Sequence, residues 1–298
     1  MTSNRMRKNV VAKRFNVNGI VQGVGFRPLV YQLATRLGLK GDIANTDSGV
    51  SVHLEGVLED IEAFSKNLVE HCPQLAQITE ISVAKEPLRN FSGFTISPSK
   101  GGQHVSTLIS PDVSICADCL RELFDPNDRR YQYPFINCTN CGPRYTIIDN
   151  IPYDRENTSM RRFKMCRECQ AEYDDPGNRR FHAQPNACAV CGPKVILYDQ
   201  KGRIVETASP IEHATALLKA GRLVAVKGLG GFHIAADAEN NNAVVRLRLR
   251  KGREEKPLAV MSMDLERIRQ YAHISTEEER LLASFHRPIV LLRKKLQP

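Results

Sequence analysis

Eight of the nine cysteines stand at spacings that carry a chemistry. Cys116, Cys119, Cys138 and Cys141 read C-x2-C-x18-C-x2-C, and Cys166, Cys169, Cys188 and Cys191 repeat that pattern 50 residues later. A C-x-x-C knuckle turns two sulfurs toward one ion, and two knuckles close a tetrahedron about 2.3 Å from Zn2+. Four thiolates leave no coordination position open, so such sites are structural. Their apparent binding energy, roughly 10–16 kcal/mol, offsets the cost of ordering a segment with few apolar residues. Disulfides and an iron–sulfur cluster are competing uses of the same residues. The odd count, and a basic Met1 to Arg14 stretch without the apolar run of a signal peptide, argue against a secreted disulfide scaffold and for a cytoplasmic protein. Duplication favours one ion per repeat, against a cross-brace that would pair Cys116 and Cys119 with Cys166 and Cys169. Cys72 lies outside the repeat and reads as a small buried apolar side chain.

A second constellation is Val21-Gln22-Gly23-Val24-Gly25-Phe26-Arg27. A glycine loop between a strand and a helix N-terminus turns main-chain N–H groups toward an anion. Arg27 opens that helix and can fork onto two phosphate oxygens. Asn45, on the next strand, can face the same anion; its amide can hold a water for in-line attack on phosphorus but cannot act as a base. A plain structural turn with an exposed arginine is the competing reading. The third constellation is Lys251-Gly252-Arg253-Glu254-Glu255-Lys256-Pro257-Leu258. Arg246, Arg250 and Arg253 share a helical face, which is either a solvated basic face or a pocket for nucleotide phosphates.

These residues need elements to position them. Arg14 to Val21 alternates as a strand; Pro28 favours the first turn of a helix whose apolar stripe is Leu29, Val30, Leu33, Ala34 and Leu37, closed by Gly38. Strands at 40–45 and 50–55 flank an Asp47-Ser48-Gly49 turn, a helix follows at 58–71, and strands near 79–85 and 93–97 end the unit. The order β-α-β-β-α-β predicts a ferredoxin-like split βαβ fold. Ser97 to Gly102 reads as a linker. The third region predicts a helix at 210–220, a strand at 223–226, the loop Gly228-Leu229-Gly230-Gly231, a helix near 240–250, and strands at 258–261 and 288–292. The fold class is α+β multidomain: a ferredoxin-like split βαβ unit at 10–98, a tandem zinc-knuckle region at 110–195, and a partial α/β region at 205–298.

Length and composition agree. At 298 residues the chain has room for about two domains, and 42% hydrophobic with 25% charged residues is ordinary globular usage. No apolar run approaches the roughly 18 residues of a membrane span. The formal charge of +9 invites an anionic partner, yet eight thiolates on two Zn2+ would reduce it to about +5. Residues 246–256 contain no aromatic side chain, which disfavours a nucleic-acid-binding module.

Gln22-Gly23-Val24-Gly25-Phe26-Arg27 followed by Asn45 resembles the acylphosphatase family, in which the loop and arginine bind the acyl phosphate and the asparagine orients the hydrolytic water. The Lys251-x-Arg253 … Lys256-Pro257-Leu258 pattern resembles the YrdC-like nucleotide-binding family, with Gly228 to His233 as its substrate loop. Acylphosphatase-like, duplicated four-cysteine and YrdC-like segments in this order resemble the N-terminal region of the HypF hydrogenase maturation carbamoyltransferases. Tyr133 to Thr139 and Arg180 to Pro185 are similar to that family's zinc segments. The family continues into a large carbamoyl-transferring domain, so this chain reads as its front part with the YrdC-like domain cut short.

The resemblance implies two stages. Carbamoyl phosphate is hydrolysed at Arg27 and Asn45, and carbamate then attacks ATP, with Mg2+ assisting, to give carbamoyl-adenylate. His233, Lys251, Arg253 and Lys256 are the implied nucleotide and carbamate contacts. The implied acceptor is a cysteine of the maturation partner HypE. The zinc repeats are expected to brace the two flanking domains around a shielded passage, so that chelation would uncouple adenylate formation and spare hydrolysis. His182, which stands where the first repeat has Gln132, reads as a packing residue, and His53 carries no assigned role. A stand-alone acylphosphatase with an appended zinc region is the alternative.

Overall fold

A computed structural model describes residues 9–99, 108–252 and 255–295. Lys100 to Gly102 of the linker, and Arg253 and Glu254 of the basic stretch, lie outside the described residues. The chain forms two compact units that divide between Pro193 and Lys194.

The first unit begins with β1 (Val10–Ile20), α1 (Phe26–Arg36), β2 (Lys40–Thr46), β3 (Gly49–Val57), α2 (Leu58–Glu70), β4 (Gln77–Glu86) and β5 (Phe94–Ile96). The sheet order is β4-β1-β3-β2-β5. The first four strands make the expected split βαβ order, and β5 adds a parallel edge beside β2. Alternation buries Phe15 and Val17 on β1 and Val50, Val52 and Leu54 on β3 against Val30, Leu33 and Ala34 of α1 and Ile61, Phe64 and Leu68 of α2. Cys72 packs half-buried against this core, and burial pushes its thiol pKa up.

The opposite face of β3 carries a charged network that sequence reading missed. His53 is fully buried, with Nε2 3.1 Å from Glu55 and Nδ1 3.3 Å from Glu86. Arg14 also holds Glu86, at 2.5 Å.

Both cysteine repeats fold alike. α3 (Ala117–Phe124) follows Cys116, and α4 (Arg167–Asp174) follows Cys166. Three short 3-10 turns lie between the repeats, at Tyr145–Ile147, Arg155–Asn157 and Ser159–Arg162.

The second unit contains α5 (Pro210–Lys219), β6 (Val224–Lys227), β7 (Phe232–Ala235), α6 (Asn241–Lys251), α7 (Leu265–Tyr271), β8 (Ala272–His273), α8 (Thr276–Ala283) and β9 (Arg293–Lys294). Here the structure corrects the sequence reading. The expected strands at 258–261 and 288–292 are not formed, and β6 pairs antiparallel with β7 as a hairpin. Met261 is 97% and Ile289 81% exposed. An apolar run becomes a strand only where a neighbour accepts its ladder, and among the described residues none lies beside these two. No helix of the described residues is long and apolar enough to cross a membrane.

Gly41 on β2 has φ +138°, and a Cβ there would lie 1.9 Å from the His53 carbonyl oxygen. Gly41→Ala is therefore expected to lower stability by about 2–3 kcal/mol in denaturant unfolding. A loss below about 0.5 kcal/mol would show that the β2–β3 pairing yields without strain.

Candidate active site and metal centres

The glycine loop joins β1 to α1. Gly23 (φ +72°) and Gly25 (φ +81°) are left-handed, a conformation that glycine adopts without steric cost. Among the described residues, the main-chain N–H groups of Gly23, Val24, Gly25 and Phe26 have no protein acceptor. They form a nest of donors at the positive end of α1. Gln22 is buried and braces the loop; its Nε2 donates to the carbonyls of Thr46 and Gly49, each at 2.7 Å.

Arg27 and Asn45 come from different elements and converge on one atom. The carbonyl oxygen of Tyr153 accepts from Arg27 Nη2 at 3.3 Å and from Asn45 Nδ2 at 3.1 Å. Arg27 is 8% and Asn45 0% exposed. The same Nη2 is 2.9 Å from Asp154 Oδ1, so these two acceptors engage one nitrogen of a guanidinium that has five N–H donors. Asn45 Oδ1 is buried and has no hydrogen-bond partner.

Tyr153 belongs to the segment between the two cysteine repeats, and its N–H donates to Gln22 Oε1 at 2.9 Å. Arg144, 1% exposed, makes a second tie. Its guanidinium donates to the carbonyls of Cys138 (3.1 Å), Thr139 (2.9 Å), Cys141 (3.1 Å) and Pro143 (2.8 Å), and its Nε to the carbonyl of Gly23 in the loop. The cavity over the loop is lined by Gly23, Gly25, Arg27, Arg144, Tyr153 and His182, among others. Burial and the Arg27 charge lower the His182 pKa to about 4, so the imidazole is neutral at pH 7.

Each repeat gathers its own four cysteines, all ligand atoms lying within 4.8 Å of one another. Sulfurs about 2.3 Å from a tetrahedral zinc sit about 3.8 Å apart. The Cys116–Cys138 and Cys138–Cys141 separations are 3.8 and 3.7 Å. Cys166–Cys188, Cys188–Cys191 and Cys169–Cys191 are 3.8, 3.8 and 3.6 Å. Disulfide sulfurs would be about 2.05 Å apart. The donor set and its spacing fit two structural zinc ions.

The repeats exchange arginines. Arg129 of the first donates to Cys169 Sγ of the second at 2.9 Å, and Arg179 of the second donates to Cys119 Sγ of the first at 3.1 Å. Arg130 reaches Glu172 and the Ala187 carbonyl, both at 2.9 Å; Arg180 reaches Glu122 and, at 3.0 Å, the Asn137 carbonyl. Burial alone would raise the Glu172 carboxyl, but the hydrogen bond and charge of Arg130 override it and hold the pKa at about 2.

Of the four residues placed at a nucleotide site, Arg253 lies outside the described residues, and no described contact joins the other three. His233 is exposed on β7, Lys251 is exposed at the end of α6, and Lys256 is exposed, its carbonyl accepting from Arg248 Nη1 at 3.1 Å. Arg246, which the sequence placed on a shared basic face, is turned to the Gly221 carbonyl.

Sequence reading missed Arg144, Tyr153 and Asp154. One signal existed for Arg144: the duplicate position is Lys194, a departure from the repeat. Tyr153 acts through main-chain atoms, which leave no mark on residue type. The expectation that chelation would spare hydrolysis does not fit this geometry, because the first knuckle holds Arg144 and Arg144 holds the loop.

The chain should carry two zinc equivalents by elemental analysis. Cys138→Ser should remove the first and, through Arg129 and Arg179, speed chelator release of the second several-fold. Unchanged release would sever the two centres.

The Acylphosphatase family model matches residues 13–96, the HypF finger model residues 115–148 and 165–198, and the Telomere recombination model, which groups Sua5, YciO and YrdC proteins, residues 216–298. Carbamoyltransferase HypF of Synechocystis sp. is 51% identical over 282 residues, which is 94% of this chain and 37% of that protein. An acylphosphatase of Thermotoga maritima is 40% identical over 86 residues, 28% of this chain and 94% of that protein. A crystal structure of full-length HypF in the phosphate- and nucleotide-bound form is 48% identical, with a TM-score of 0.93 over 99% of this chain and 38% of that one. The chain thus spans less than two-fifths of the length of the HypF relatives it matches, and it belongs to the HypF carbamoyltransferase family.

Proposed function

We propose that the first unit hydrolyses carbamoyl phosphate to carbamate and inorganic phosphate. The observation that carries this reading is the convergence of Arg27 and Asn45 on one buried oxygen, beside a loop of unengaged N–H groups. Asn45 Oδ1, buried and without a partner, is an acceptor available to a water proton. The loop N–H groups and Arg27 would take the phosphoryl oxygens, while Asn45 holds water in line with the P–O bond that breaks. Carbamate leaves as an anion, so no general acid is required. Catalysis is electrostatic positioning, the main lever in phosphoryl transfer.

The two cysteine sets would each hold one zinc ion, which would supply a structural chelate. Arg144 carries its effect to the Gly23 carbonyl.

The second stage extends the same proposal. Carbamate, unstable in water, would be joined to ATP with Mg2+ to give carbamoyl-adenylate, for transfer to a cysteine of HypE by a domain of the longer relatives. His233, Lys251, Arg253 and Lys256 are the proposed contacts for carbamate and nucleotide phosphates. The HypF structure that matches this chain is a phosphate- and nucleotide-bound form, the two ligand classes these stages need.

Arg27→Ala is expected to reduce carbamoyl phosphate hydrolysis at least a hundredfold, and Asn45→Ala comparably through kcat, with zinc content and unfolding midpoint retained. Phosphate release measures both. Turnover within twofold of wild type in Arg27→Ala would overturn the assignment. Stripping zinc should lower hydrolysis as well.

A further inference from the structure

The phosphoryl end of the proposed substrate is provided for by the loop and Arg27, but a carbamoyl group differs from other acyl groups in its NH2. The cavity over the loop therefore needs a feature that reads that end. His182 lies in the wall of this cavity with Gly23, Gly25, Arg27 and Tyr153. Its ring is held at 4.9 Å from Tyr173 and 4.7 Å from Phe181, centroid to centroid. Its main chain is pinned on both sides: its N–H donates to the Tyr173 carbonyl at 3.0 Å, and its carbonyl accepts from Gln184 Nε2 at 3.1 Å. The Nδ1 atom is buried and has no hydrogen-bond partner. A buried polar atom without a partner costs free energy, so such an atom on a side chain of the cavity wall points to a ligand.

The duplication supplies an independent argument. Gln132 and His182 are equivalent, and both are left-handed, at φ +55° and +53°. Their N–H groups make equivalent bonds, Gln132 to the Leu123 carbonyl at 2.8 Å and His182 to that of Tyr173. The fold of the repeat therefore accepts glutamine there. Of the two equivalent positions, the one in the wall of the cavity over the loop carries the imidazole.

We propose that His182 is a specificity-determining residue whose Nδ1 accepts a hydrogen bond from the carbamoyl NH2, so that the site prefers carbamoyl phosphate over acetyl phosphate. This rests on the hydrolytic reading above and deepens it. A neutral imidazole has one lone pair to offer, and the ring is neutral because burial and the nearby Arg27 charge oppose its protonation. A methyl group in place of NH2 leaves that lone pair unanswered in a buried site, which is how hydrogen-bonding sites discriminate most strongly.

The test uses the whole chain and two substrates. Asparagine places a polar atom where Nδ1 stands and tolerates a left-handed backbone; glutamine carries its polar atoms one bond further out and already occupies the equivalent position of the first repeat. The ratio of kcat/KM for carbamoyl phosphate to that for acetyl phosphate is measured for wild type, His182→Gln and His182→Asn, with zinc content and competitive inhibition by inorganic phosphate as measures of an intact cradle. Wild type should favour carbamoyl phosphate. His182→Gln should lower the ratio about tenfold or more, and His182→Asn should keep it within about threefold. A ratio within twofold of wild type in His182→Gln, or an equal fall in both variants, overturns the inference while leaving hydrolysis standing. Absence of hydrolysis of either substrate by wild type overturns the hydrolytic reading and this inference together.

Discussion

The site depends on one buried cation. Among the described residues no carboxylate pairs with the Arg144 guanidinium; its donors end on four carbonyls of the first cysteine knuckle and on the carbonyl of Gly23. A guanidinium taken out of water needs nearly all its donors satisfied, because a charge left uncompensated in the interior is among the costliest defects a fold can carry. Carbonyl acceptors supply that only when they are held in place. The knuckle's four cysteines fit one metal ion, and knuckle, arginine and glycine loop form one mechanical chain. The anion cradle inherits its shape from a segment more than a hundred residues away.

The two repeats divide the work from equivalent scaffolds. Each reaches across to the other's sulfurs through Arg129 and Arg179, and to the other's acidic residue through Arg130 and Arg180. That reciprocity makes the pair one body. Two departures from the repeat fall where the pair meets the glycine loop: Arg144 against Lys194 and His182 against Gln132. The segment between the repeats adds Tyr153 and Asp154, which meet Arg27 and Asn45. A single acylphosphatase-like sheet carries the loop, the arginine and the asparagine, and the repeats roof them.

The second unit shows the opposite condition. Its hairpin and helices form where local signals suffice: Ser275 and Glu278 make a capping box, and Gly252 closes α6 in a left-handed conformation. The apolar runs at 258–261 and 288–292 remain outside any sheet, since a strand is defined by the neighbour that pairs with it rather than by its own residues. The basic side chains of Lys251 and Lys256 are exposed.

Much was legible in the residues alone. Cysteine spacing and its 50-residue repeat determined both metal-binding sets, because chelation demands particular residue types at particular separations. Period-two and helical patterning determined the split βαβ unit, because one-sided burial leaves its mark on every second or every third to fourth residue. Glycine, arginine and asparagine identities marked the cradle. The tertiary structure alone decided what covers it: Tyr153 contributes through its main chain, Arg144 through carbonyls that any residue possesses, and His182 through a neighbour far off in sequence. It alone decided as well that two apolar runs would stay unpaired. Main-chain acceptors and long-range neighbours have no residue type to announce them, so composition and spacing could not have placed them.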